Sequence, residues 1–494
     1  MSIAGIDVGT TGSKCTIYSR DGRFLGDAYE EYTEICSDEL DGQMVWNCVK
    51  HVLGKAAQQA GEPVEAIGVT SFGETAILLD ENDAPVCPSI LYTSPKGDRE
   101  CEILTEKLGK EYICHVTGVA PHSMYSVPKL MWVSTQAPDI FARAKRICLF
   151  SDYIVYMLSG VHQIDYSLAA RTMALDVTKL QWDEKILKCA GIPMELMPKI
   201  VPTGTKAGVI RPAVAAELGL SESAVIVTGC HDQVGAAVGT GTLKKGMAVD
   251  GTGTVECITP VYGSEVLQDK LYDHGYAIIP YLDSERYVTY AFSFTGGALL
   301  KWYRDAIAAE EAKAAKARGE SVYDYFNSKV KPGPSGLLVL PHFAGAATPY
   351  MDTEAKGMMV GLTTETRSED IYKALMEGVT FEMRVNKELL EEAGIRVDSL
   401  LATGGGARSA LWLQMKADIL NVPIVSLGEA QSGTLGCIML SGVACGMYES
   451  LEAAAEVFIQ KAAEYTPDPE AHAAYEVWFK RYKKLYKAMK EIYA

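Results

Sequence analysis

An α/β architecture in two lobes is the fold class the sequence predicts, and three observations predict it. The chain has 494 residues, more than one ordinary hydrophobic core accommodates, so at least two lobes are expected. A strand, an Asp, a Gly/Thr turn and a second strand occur in that order twice, about half a chain apart, starting at Ile3 and at Met247, which suggests two lobes on one plan, two unrelated hairpins being the alternative. Helical segments fill most of the remainder. Hydrophobic residues at 48% and charged residues at 22% are values of a globular chain, not a disordered one.

Taken in order, Ile3 to Asp7 is a short apolar run, Gly9-Thr10-Thr11-Gly12 a turn, and Lys14 to Tyr18 an alternating strand. Arg20-Asp21-Gly22-Arg23 makes a second turn before Phe24 and Leu25. Neither G-x-G-x-x-G opening a helix nor G-x-x-x-x-G-K-[ST] occurs, so whatever binds at the first turn binds to a β-hairpin. Met124 to Gln136 reads as a helix start with Pro128 in its first turn and a buried Trp132. The apolar run Ala224 to Val227 leads to a small-residue helix opened by Asp232. Met247 to Ile258 repeats the hairpin signal. Residues 305–320 read as a solvated helix, and Ser368, as N-cap, opens a long helix that reaches Ala393, with Gly394 at C′. From Leu451 onward the pattern is amphipathic helix, broken near Pro467 and Pro469. The expected lobes are 1–243 and 244–494, with a hinge in Gly239–Gly246.

Lys plus Arg is 46 and Asp plus Glu 63, a net charge of 46 − 63 = −17, which argues against nucleic acid or an anionic membrane as partner. The start has no basic n-region, and no apolar run approaches the ~18 residues that span a bilayer. The 12 Cys are scattered without a C-x-x-C pair, and the 8 His form no H-E-x-x-H. Reduced thiols in a cytoplasmic protein are the expectation.

Three segments can carry chemistry. In Asp7 to Lys14, an acid at a strand end can hold a divalent cation, and the Gly/Thr turn offers N–H and hydroxyl donors to phosphate, with Lys14 adding charge; the alternative is a solvent-facing hairpin. In Gly229 to Gly239, Asp232 is placed as a general base and Gln233 as a second hydroxyl ligand; the plainer reading makes Asp232 a helix N-cap. His231 is read as a packed neighbour. The triple glycine Gly404-Gly405-Gly406, between a strand and a helix, lets backbone approach a flat or charged ligand, or is a tight packing turn.

These segments meet a family. Met124, Ser126, Lys129, Leu130, Trp132, Val133, Thr135 and Gln136 match the pattern that names the FGGY carbohydrate kinases, and Ala402 to Leu420, with Trp412, Gln414 and Asp418, resembles its second signature. Asp7 to Lys14 is similar to its first phosphate motif, Asp250 to Thr254 to its second, and Asp232-Gln233 sits where the family keeps its catalytic Asp. The resemblance runs from about residue 3 to 460. It implies the two-lobed actin-like ATPase (ribonuclease-H-like) fold, each lobe a mixed sheet flanked by helices. It also implies ATP-dependent phosphorylation of a sugar or polyol with Mg²⁺. In that reading Asp7 helps hold the metal, Thr10, Thr11, Lys14 and Thr252 meet phosphates, and Gly297, Gly405, Gly406 and Ser409 border the nucleotide. Asp232 deprotonates the attacking hydroxyl, and lobe closure excludes water.

The acceptor pocket departs from the family. Where glycerol kinases carry Arg-Glu and xylulose kinases Gln-Met-His, this chain has Gly73-Glu74. Glu74 can accept from two neighbouring hydroxyls, which fits a vicinal diol. A pentulose or short polyol is the expected acceptor, with a sugar acid as the alternative and the homodimer left open. A non-kinase actin-like ATPase is the competing class. It is disfavoured because no peptide-binding domain follows the second lobe and Asp232 with Glu74 supplies a hydroxyl-binding pair.

Overall fold

The computed structural model describes residues 2–33, 38–266, 268–428 and 431–493. It forms two compact units. One takes Met1–Leu243, Ala277–Val288 and Ala430–Ile459, the other Lys244–Tyr276, Thr289–Glu429 and Gln460–Ala494. The chain therefore leaves the first unit after Leu243 but returns to it twice, and the stretch 244–494 is not one continuous lobe.

The first unit is built on strands β1 (Ser2–Val8), β2 (Gly12–Ser19), β3 (Phe24–Glu31), β4 (Val64–Ser71), β5 (Lys206–Val209) and β6 (Val225–His231). Their order is β3-β2-β1-β4-β6-β5. The neighbouring strands β1, β4 and β6 run parallel and every other pairing is antiparallel. The parallel strands are apolar almost throughout because helices cover both faces. On one face lies α1 (Gly42–Ala60), capped by Asp41, whose side chain accepts from the Gln43 and Met44 N–H groups. Its Val49, Val52 and Leu53 pack with Ile6, Ile17 and Val69, all buried. Further along, α2 (Ser126–Gln136) carries the family pattern and α3 (Asp232–Gly239) follows β6 directly.

The helix Ser432–Ala444 explains one return to the first unit. It is apolar and small on nearly every face, and it packs against α3, β1 and β4. Contact with α3 is at backbone distance: a Cβ at Gly436 would lie 2.0 Å from the Gly235 carbonyl oxygen. We expect Gly436→Ala to cost about 1–3 kcal/mol by overpacking, read as a lower urea midpoint with an unchanged m-value.

The second unit repeats the plan with β7 (Met247–Thr252), β8 (Glu256–Gly263), β9 (Ala291–Ser293), β10 (Ser399–Thr403), β11 (Ile424–Leu427) and β12 (Lys461–Tyr465). The order β9-β8-β7-β10-β11-β12 reproduces the strand directions of the first sheet one by one. Its helices include α4 (Gly297–Trp302), α5 (Ser368–Glu392) and α6 (Ala410–Leu420).

Three local expectations differ from the structure. Trp132 is half-buried, not buried, with the Lys96 ammonium 5.0 Å from its ring centre. Arg367, not Ser368, holds the N-cap position of α5, and Asp370 Oδ2 accepts from the Arg367 N–H at 3.0 Å. The segment after Leu451 is not helix throughout: Lys461–Tyr465, rich in helix-forming residues, is an edge strand, because pairing with β11 outweighs propensity. Among the described residues no helix is long and apolar enough to cross a membrane.

Candidate active site

The first site lies at the carboxyl ends of the parallel strands of the first unit, where open α/β sheets bind ligands. Register puts Asp7 opposite Lys14 on β2 and Thr70 on β4, and His231 opposite Ser71. His231 occupies the N-cap position of α3 and makes no capping bond through its side chain; Asp232 is the first helical residue. The plainer reading of Asp232 as an N-cap therefore gives way. Its side chain is 38% exposed overall, yet Oδ1 is buried and accepts no hydrogen bond among the described residues; His231 Nε2 is 3.3 Å away.

Burial pushes the Asp232 carboxyl up to about 7. The neighbouring Asp7 and Glu74 charges push the same way, while the Gln233 backbone N–H and Arg171 oppose them. Burial, with Arg171 adding to it, holds His231 well below the usual imidazole range, so the ring is neutral. Asp7 is raised to about 6 by burial, against the pull of Lys14. Burial lowers Lys14, which Asp27 and Asp7 partly offset. The turn between them is tight, with the Gly9 N–H donating to the Gly12 carbonyl at 2.9 Å. Thr10 is half-buried and Thr11 exposed at its tip; Gln233 is half-buried on α3.

Glu74 is held in the left-handed region, φ 64°, and is 4% exposed. Arg171 Nε donates to its Oε1 at 2.6 Å, and Nη2 pairs with the same oxygen. The Ser126 hydroxyl, at the head of α2, donates to the Glu74 carbonyl at 2.5 Å. Arg171 is 7% exposed, with its guanidinium 5.2 Å from the Tyr125 ring centre. Gly73 makes room for this packing, since a Cβ there would lie 2.9 Å from Arg171 Cγ and 3.1 Å from His231 Cδ2. Sequence reasoning missed Arg171. The available signal was a lone cation in the run Ser167-Leu168-Ala169-Ala170-Arg171-Thr172-Met173, which calls for a buried partner.

The second site is a cavity of about 570 Å³ within the second unit. Gly297, Gly405, Gly406 and Ser409, four residues separated by up to 112 positions (409 − 297), all line it. Tyr372 and Trp412 add aromatic wall. Ser409 Oγ accepts from the Trp412 N–H at 3.2 Å and so caps α6, and Asn327 Nδ2 donates to it at 3.3 Å. Backbone reaches the cavity because these residues lack side chains: a Cβ on Gly297 would lie 2.6 Å from the Gly253 carbonyl oxygen. Flat aromatic wall, glycine backbone and an amide suit a purine nucleoside. Thr252 is placed otherwise. It is 2% exposed, and its hydroxyl accepts from Lys416 Nζ at 2.6 Å, a residue the sequence reading did not single out.

The N-terminal domain of the FGGY family of carbohydrate kinases matches residues 2–239 and its C-terminal domain residues 248–445. A xylulose kinase of Bacillus subtilis is 27% identical over 502 residues, covering 99% of this chain and 97% of that protein. A gluconokinase of the same organism is 29% identical over 480 residues, covering 95% and 93%. The crystal structure of ligand-bound xylulose kinase from Lactobacillus acidophilus superposes with a TM-score of 0.89 at 25% identity, covering 99% and 98% of the two chains. Two sheets of one plan, with Asp7, Glu74 and Asp232 gathered near the strand ends of the first and a glycine-walled cavity beside the second, accompany a match to a known enzyme family. The chain is a member of the FGGY family of carbohydrate kinases, and it phosphorylates a sugar or polyol hydroxyl at the expense of ATP.

Proposed function

We propose that the acceptor is a neutral pentulose or short polyol and that Asp232 is the general base. The observation that carries this reading is Asp232 Oδ1, a buried carboxylate oxygen that accepts no hydrogen bond among the described residues, on a group raised to about 7. Such a group is charged often enough at neutral pH to act and basic enough to take a hydroxyl proton. Asp232 accepts the proton as the hydroxyl oxygen bonds to the γ-phosphorus and ADP leaves with the bond it held. Glu74, fixed in one orientation by Arg171, receives neighbouring hydroxyls, and Gln233 a further one. Asp7, Glu74 and Asp232 outnumber Arg171 and Lys14, the cations beside them among the described residues, which favours a neutral acceptor over a sugar acid.

In the first unit Thr10, Thr11 and Lys14 serve the phosphates. Asp7, a single hard oxygen donor beside hydroxyls, fits a hydrated Mg²⁺ that would neutralise phosphate charge when bound. In the second unit Gly297, Gly405, Gly406 and Ser409 serve the nucleoside. A net charge of −17 is compatible with ATP on this account, since backbone N–H groups, hydroxyls and the metal meet the polyanion. No disulfide joins the described cysteines, and a cytoplasmic location is part of this reading.

An ADP-release screen across C3–C6 polyols, ketoses and aldonates tests the substrate class. The best ketopentose or polyol is expected to exceed every aldonate at least ~10-fold in kcat/KM, the scale of the ~1–3 kcal/mol that one unsatisfied buried polar group costs. An aldonate as best substrate would reverse the reading.

A further inference from the structure

Lys416 lies inside the second unit and is 1% exposed. Its ammonium meets three acceptors drawn from both strands of one hairpin: Asp250 Oδ2 at 2.7 Å, Thr252 Oγ1 at 2.6 Å and Glu256 Oε1 at 2.9 Å. A buried lysine needs such partners, because three N–H donors and a charge without them would be costly to desolvate. Asp250 and Thr252 are the end of β7, and Glu256, the cross-strand neighbour of Thr252, begins β8. The ammonium therefore ties both sides of the turn Gly253-Thr254-Val255.

That turn is the common support of the nucleoside cavity. Gly253 itself lines it. The Gly253 carbonyl accepts from the Gly297 N–H at 2.8 Å, and the Thr254 carbonyl from Gly296 and Ala298 at 2.9 and 3.1 Å, so the first turn of α4 hangs on it. On the other side, a Cβ on Gly404 would lie 2.6 Å from the Thr252 carbonyl oxygen, and one on Gly406 2.5 Å from Thr252 Cγ2. Glycine backbone of the 404–406 segment thus packs against Thr252, whose hydroxyl Lys416 holds, and that of Gly296 and Gly297 against the turn that follows it. A helix of the same sheet, α6, carries both Lys416 and the Ser409 cap at the cavity edge.

We propose that Lys416 is a positioning residue for nucleotide binding: through Thr252 it sets the placement of the 252–255 turn and of the Gly297 and Gly404–Gly406 backbone that the turn supports. The inference rests on the cavity being the nucleoside site. It touches neither the acceptor nor the reacting atoms.

The test is ADP affinity by calorimetry with the full chain, together with KM for ATP and for the sugar. Lys416→Met and Thr252→Val are expected to weaken ADP binding and raise KM for ATP at least tenfold, with KM for the sugar within twofold. Thr252→Ser, which keeps the hydroxyl, is expected to restore ADP binding to within threefold of wild type. Lys416→Met leaves two carboxylates around an empty position and can fail to fold; Lys416→Arg then carries the test, since a planar fork cannot place one nitrogen within 2.9 Å of all three acceptors. Folded Lys416→Arg and Thr252→Val proteins that bind ADP as wild type does would overturn the proposal. So would an equal rise in both KM values, which marks a general loosening of the fold. If wild type binds no ADP, or binds it with Gly405 and Gly406 replaced by bulkier residues, the assignment of the cavity falls first and this inference with it.

Discussion

Asp232→Asn is expected to lower sugar-dependent ADP release by about 10³-fold, the scale of a lost general base, while ADP binding stays as in wild type. Asparagine keeps the shape and removes the proton acceptor, so the loss is chemical and should appear in kcat with little change in either KM. The carboxyl is raised to about 7 by burial and by Asp7 and Glu74. Wild-type kcat/KM should therefore rise through an acid limb near that pH, because the base must be ionised, and the limb should be missing from the residual activity of the variant. A variant with comparable sugar-dependent turnover would remove Asp232 from the chemistry.

The same shift makes a prediction about stability, with the opposite advantage. A carboxyl that titrates near 3.8 in the unfolded chain and about 7 in the folded one binds its proton more tightly when folded. Its contribution to stability is full below pH 4, falls as pH rises towards 7, and is gone above. Asparagine cannot ionise, so Asp232→Asn should melt higher than wild type at pH 8 and at the same temperature at pH 4. A residue that weakens the fold where it works is the pattern expected of an active-site group. Asp7, raised to about 6, and Glu256 and Glu377, each raised to about 7, titrate in the same sense, so the variant removes only part of the pH dependence.

The second large effect belongs to Arg171. Arg171→Met removes the cation that two nitrogens present to Glu74 and leaves a 4% exposed carboxylate without it. Breaking a buried pair at one end costs about 3–5 kcal/mol, so a lower melting temperature is expected. The sugar KM should rise about 100-fold or more, in line with the ~2–5 kcal/mol lost when one partner of a buried charge pair is truncated in a binding site. KM for ATP should not follow. Arg171 also lowers the Asp232 carboxyl, so its removal should move the acid limb of the pH profile upward. Adding Glu74→Gln to the variant should recover most of the stability and none of the sugar affinity. A single variant whose sugar KM stays within twofold would exclude Arg171 from the acceptor pocket.

Much of this molecule was legible in local sequence. The hairpin at Asp7 could be read because Gly9-Thr10-Thr11-Gly12 leaves the chain few options but a turn, and the strand Lys14 to Tyr18 alternates. The same signal at Asp250 could be read for the same reason, and the two sheets share one strand plan. Asp232 stood out because an acid between an apolar strand and a Gly/Ala helix serves either as a helix cap or as a base, and the structure places it inside the helix. Gly405, Gly406 and Ser409 were legible as a glycine turn between a strand and a helix, open to a ligand or to tight packing, and the structure puts all three on one cavity. The strand Lys461–Tyr465 could not, since its residues favour helix and only the exposed edge of β11 makes it extended.

Arg171 and Lys416 were beyond sequence reasoning for one physical reason. Arg171 meets Glu74 across 97 residues of chain, and Lys416 meets Asp250 across 166. Local pattern reports which backbone conformations are cheap and which side chains must leave water. It carries no record of which charge will neutralise which, because that depends on distances set by packing of remote segments. By itself the sequence indicated a chain of at least two lobes and two acid-and-glycine turns, through length, turn chemistry and apolar periodicity, and its resemblance to a known family supplied the two-lobed fold and the role of Asp232. The tertiary structure alone decided that Asp232 Oδ1 accepts no hydrogen bond among the described residues, that Glu74 is held by Arg171, and that Thr252 turns its hydroxyl inward to Lys416, since buried charge is paired only where the fold brings its partner within hydrogen-bond reach.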